Sequence, residues 1–175
     1  ANFNDTQDRE YKRKWVPVLC RSQFEMAEKI AVQMTLLYPE RNGCGNGKED
    51  SQFGLFAAAY FTNAAINRYG LKWYHLTISD EPIVPFFEPK WLKEIFGDEY
   101  ITWLNKNGWQ FDEKHLPDTA QAVRDLQKQA HAFFLQVESR SDVRNQWTEL
   151  YGGDYVIHLP DGTNNLPFIE AVIIG

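Results

Sequence analysis

The chain has 175 residues, 43% of them hydrophobic and 15% aromatic, enough for one domain with a substantial core. Its net charge of −6 is spread along the chain, which argues against nucleic acid as the main partner, because neutralising phosphates needs a clustered basic surface. The one basic cluster, Lys12, Arg13 and Lys14, is short and flanked by Asp8 and Glu10, no apolar run approaches the ~20 residues of a membrane span, and two cysteines, Cys20 and Cys44, are too few for a disulfide framework or a zinc site. A reducing, cytoplasmic setting is the expectation.

Residues 22–37 place Phe24, Ala27, Ile30, Ala31, Met34 and Leu37 at helical spacing, with Ser22 as N-cap, Glu25 three residues on and Pro39 as the stop. The glycine-rich stretch 42–51 is a loop. Phe53 to Tyr69 reads as one helix capped by Gly70, its Ala57-Ala58-Ala59 run suited to packing on a sheet. Trp73 to Ser79 is the first clear strand. The prolines of 82–89 make an irregular segment, and Lys90 to Leu104 is helical with a break near Gly97.

Asp118 caps a helix running to Gln129. A second strand covers 131–139, a short helix Asp142 to Tyr151, a third strand 154–160, and a last helix 166–174. Helices alternating with near-continuous apolar strands predict an α/β fold, its sheet mostly parallel and covered by helices on both faces. Ligands of such sheets gather at the carboxyl ends of the strands, where WYHLTISDEP runs into Asp80 and Glu81.

The stretch GNGKEDSQFGLFAAAYF followed by LKWYHLTISDEP resembles the middle of a von Willebrand factor type A domain, and AFFLQV, Trp147 and YVIHLPDGTNNLPFIEAVIIG resemble its last two strand-helix units. NFND near the start is similar to the tail of one of the early strands. The resemblance implies a Rossmann-like fold and a divalent cation, Mg²⁺, Ca²⁺ or Mn²⁺, at the strand tips, where it accepts an acidic residue of a protein partner. Position by position, Asp80 matches the aspartate after the fourth strand, and the loop offers Glu49, Asp50 and Ser51 where the family has a threonine. The family's Asp-x-Ser-x-Ser motif does not occur in residues 1–175. With a chain that opens at Ala1 and stops at AVIIG, this gives the expectation of a single domain cut from a longer chain, its first strand or strands missing.

Each feature also has a plainer reading. Asp80 and Glu81 suit a solvated strand end with a turn at Pro82, and Glu49 and Asp50 suit the start of a helix, where acids complement the macrodipole. Lys48 is followed by Glu49, so the phosphate-loop pattern is not met. The expected function is a protein-binding module in a bacterial or phage assembly, with metal ligands Asp80, Glu49, Asp50 and Ser51. The alternatives are a phosphoesterase or other hydrolase using His75, His158 and nearby acids, and a purely structural subunit. Convergence of His75 and His158 in one open cleft would favour the enzyme.

Overall fold

The computed structural model describes residues 2–3, 19–20, 28–37, 50–159 and 161–175. Two short strands, β1 (Asn2–Phe3) and β2 (Leu19–Cys20), pair antiparallel. Helix α1 (Lys29–Thr35) is followed, after the undescribed stretch, by α2 (Gln52–Tyr60) and a 3₁₀ turn at Ala65–Tyr69. Then come β3 (Trp73–Ser79), α3 (Pro89–Phe96), α4 (Tyr100–Lys106), α5 (Thr119–Gln129), β4 (Ala130–Gln136), α6 (Ser141–Tyr151), β5 (Val156–His158) and α7 (Leu166–Ile174).

Strands β3, β4 and β5 lie side by side in that order and are parallel, giving a three-stranded α/β sheet flanked by helices in the Rossmann-like manner. Trp73 pairs with Ala130 and Phe134 with Val156, so all three strands of this sheet point their carboxyl ends the same way. Side chains alternate between faces along each strand. Ala130, Ala132 and Phe134 join the main core with α2, α5 and α6, and Trp147 of α6 stacks on Phe134 at 4.0 Å. On the opposite face Leu135 is fully buried, whereas Tyr74 and Ile78 are 40% and 41% exposed.

Several elements follow directly from local chemistry. The Asp118 carboxylate accepts from the Gln121 amide at 2.6 Å, which caps α5 as its sequence predicts. The break at Gly97 separates α3 from α4, and its φ of +89° is backbone that a β-carbon disfavours.

Two expectations need correction. The helix expected over 53–69 ends at Tyr60; Phe61 leaves the helix to stack between Phe96 and Trp103, and the Thr62 hydroxyl donates to the Ala57 carbonyl at 3.1 Å. In the described part of the 22–37 helix no residue is buried, and Ile30 and Met34 are 40% and 62% exposed, so the predicted apolar stripe does not face this core. Ser22, Phe24, Glu25 and Ala27 lie outside the described residues, as do Lys12, Arg13, Lys14, Cys44 and Lys48.

Candidate functional site

Several of the residues singled out in the sequence lie at the carboxyl end of the sheet. Ser79, Gln136 and His158 form the last paired row, and Asp80 follows immediately. Helix α2 brings its amino end to the same side. Its carboxyl end meets the carboxyl end of α5, where the Tyr60 hydroxyl donates to Asp125 at 3.0 Å and the Gln129 amide donates to the Ala59 carbonyl at 2.6 Å. The amino end of α5 in turn is tied to the loop after β3, the Thr119 hydroxyl donating to the Val84 carbonyl at 2.9 Å and its amide to that of Pro85 at 3.1 Å. Asp50 and Ser51 therefore stand at the end of the sheet that carries Asp80.

The polar groups at the start of α2 are unusual. Ser51 is 3% exposed and its side chain makes no capping bond. Its hydroxyl oxygen and the Gln52 amide oxygen are both buried without a hydrogen-bond partner. The Gln52 amide nitrogen donates to Asp50, 7% exposed, at 2.8 Å. A buried polar atom left unpaired costs about 1–3 kcal/mol, so two adjacent ones mark a place where stability has been given up.

The two acids at the strand tip have different fates. Glu81 accepts from Arg140 at 2.6 Å, and the same guanidinium forks onto Asp142 at 2.8 and 3.4 Å. These two carboxylates, Asp142 first, raise the Arg140 pKa, and Arg140 holds Asp142 below the usual carboxylate range. The Glu81 carbonyl also accepts from the Trp147 indole at 3.1 Å, and Gln146 both donates to and accepts from the Ile83 backbone at 2.8 Å. Glu81 is thus part of the clamp that fixes the loop after β3 to α6. Asp80, by contrast, has no hydrogen bond or ion pair among the described residues.

Glu49 lies outside the described residues. Asp80, Asp50 and Ser51 share one end of the sheet, and among the described residues no group of three or more His, Cys, Asp or Glu side chains is placed to hold a metal ion. Oxygen donors of this kind nevertheless suit a hard divalent cation, which is satisfied by one or two protein carboxylates with a hydroxyl, waters and a partner's oxygen.

The histidines do not converge. His75 pairs across to Ala132 and His158 to Gln136, two strands and four rows apart, which at ordinary sheet spacings is about 16 Å. His75 is engaged within the covered face, its Nε2 3.1 Å from the Thr77 hydroxyl, which is itself 3.0 Å from the Tyr151 hydroxyl. Burial pushes the His75 imidazole down to about 4 and the Tyr151 phenol well above its ordinary value.

Sequence reasoning missed Arg140 as the partner of Glu81. The signal was faint: a basic residue two positions before Asp142, just past the second strand. It also missed a cleft of about 560 Å³ at the far end of α2, lined by Phe61, Phe96, Tyr100 and Trp103 with Glu99 beside them. Phe96, Glu99, Tyr100 and Trp103 do share helical spacing, but nothing in the sequence links them to Phe61, which lies just past α2. Among the described residues no helix is long and apolar enough to cross a membrane. Compared with known proteins, the chain matches no family model, no curated protein and no solved structure.

Proposed function

We propose that the chain is a von Willebrand factor type A-like module that binds a protein partner through the loops at the carboxyl ends of its strands, assisted by a divalent cation. Asp80, Ser51, Asp50 and Glu49 are the residues that would hold Mg²⁺, Ca²⁺ or Mn²⁺. The cation would supply open coordination positions for an acidic side chain of the partner. The observation that carries the reading is the pair of orphaned oxygens on Ser51 and Gln52, buried at the same sheet end as the Asp80 carboxylate, which has no partner among the described residues. A hydroxyl oxygen without a donor is what a hard cation coordinates. Glu81 is excluded from the ligand set by its ion pair with Arg140.

The separation of His75 from His158 counts against the hydrolase alternative, since two-histidine chemistry requires both imidazoles at one phosphorus. The structural-subunit alternative makes a different prediction: no response to metal. A ligand that binds only the folded state stabilises it by ~2.7 kcal/mol at a hundredfold excess over its dissociation constant. The melting temperature should rise with at least one of the three ions and no longer do so in Asp80→Ala. A melting temperature indifferent to all three would leave Asp80 as a plain solvated strand end.

A further inference from the structure

At the opposite end of α2 from Ser51, nine residues or ~14 Å away along the helix axis, lies the aromatic cleft. Phe61 sits between two other rings, stacked on Phe96 at 4.5 Å and 6° and on Trp103 at 4.6 Å and 11°. Trp103 is the outer member of this column and is 43% exposed. A large indole left open to water on top of an ordered stack is an incomplete packing arrangement. It lacks one further flat partner.

The chemistry of the missing partner follows from the other lining residues. Among the described residues that line the cleft, Glu99 is the only charged one. Its position before α4 would suit a helix cap, yet its side chain makes no capping bond. No ion pair to Glu99 is formed among the described residues. Tyr100 also lines the cleft, is 1% exposed, and keeps its hydroxyl buried in the core. Burial first, and the Glu113 charge second, push that phenol up to about 12, so it stays neutral. An exposed indole and, one helical turn before it, a carboxylate with no counter-ion among the described residues ask for one group: planar and cationic. Guanidinium has these properties and ammonium lacks the plane.

We propose that this cleft is a second docking surface, which receives an arginine side chain of a partner protein stacked on Trp103 and paired with Glu99. The volume is far more than one guanidinium fills, so residues flanking the arginine share the aromatic wall. The surface is independent of the strand tips, and its occupant has the opposite charge to the acidic residue a cation would attract there.

The test is a titration with the peptide acetyl-Gly-Arg-Gly-amide in the presence of a chelator, so that metal binding plays no part. The indole N–H resonance of Trp103, assigned through Trp103→Phe, should shift saturably. The matched peptide with citrulline, which keeps the plane and loses the charge, should bind at least tenfold more weakly. The lysine peptide should fall between the two. Glu99→Gln, an exposed change that leaves the stack intact, should weaken the arginine peptide at least fivefold. Equal binding of the arginine and citrulline peptides would overturn the proposal, and so would affinity unchanged in Glu99→Gln. The absence of a saturable shift at Trp103 up to the solubility limit of the arginine peptide would do the same.

Discussion

The two ends of α2 are equally buried and oppositely finished. At its carboxyl end the polar groups shared with α5 are partnered: Tyr60 donates to Asp125, Lys128 reaches the other oxygen of the same carboxylate at 2.5 Å, and Gln129 satisfies the Ala59 carbonyl. At its amino end Ser51 and Gln52 leave oxygens unpaired in the same degree of burial. Propensity and hydrophobicity do not explain the contrast, because one short apolar helix carries both ends. One end is built to hold the fold together. The other leaves two buried acceptors without a donor among the described residues.

The comparison can be broken first at its hinge. Phe56 lies in the middle of α2, fully buried against Phe87 and Tyr60 with ring centroids 4.9 and 4.8 Å apart. Phe56→Ala should cost about 3–5 kcal/mol in chemical denaturation, loosening both ends together. If only one end lost protection in hydrogen exchange, the helix would not be the single body that the contrast assumes.

A pH titration tests whether the buried polar row on the covered sheet face is a stability feature of the closed kind. The folded state keeps His75 neutral down to about pH 4, whereas an unfolded chain protonates histidine near 6.5. Between these values the unfolded state binds more protons. Stability is therefore highest above pH 6.5 and falls as pH drops towards 4, by about 3 kcal/mol in full. Replacing His75 by Gln should flatten that segment of the stability profile. An unchanged profile would mean that the imidazole is solvated in the folded state.

The smallest effects separate the two ends themselves. Asp125→Ala removes the acceptor of Tyr60 and Lys128 and should cost about 1–3 kcal/mol. Ser51→Ala deletes an oxygen that has no partner, so it should be neutral or stabilising by up to about 1 kcal/mol. A loss for Ser51→Ala as large as that for Asp125→Ala would show the Ser51 hydroxyl to be satisfied, and the asymmetry would vanish.

Much of the sheet was legible in the sequence. β3 occupies the predicted residues 73–79, and its parallel pairing to β4 and β5 follows from apolar strands alternating with helices. Asp118 was readable as a cap because capping is local. The end of α2 was not, because AYFTNAAINRY continues a helical pattern and only the stack of Phe61 on two distant rings pulls the chain away. At the candidate site the strand-tip position of Asp80 and the helix-start position of Asp50 and Ser51 were readable from punctuation. The commitment of Glu81 to Arg140 was not, since that partner lies 59 residues further on. Nor could the sequence reveal which buried oxygens would end up without donors, a property of the assembled core alone.

The parallel order of the sheet also sets a clock on synthesis. Strand β3 emerges from the ribosome long before its neighbour, because Trp73 must wait until Ala130 has been made. At ~5–20 residues per second that interval is on the order of 3–11 s, during which an apolar strand has both edges unpaired. Lys72 precedes the strand, and Asp80 and Glu81 close it, so charge brackets its two ends. Such flanking charges oppose edge-to-edge association of nascent chains. The carboxylates that end WYHLTIS thus oppose such association before Arg140 has been made to pair with Glu81.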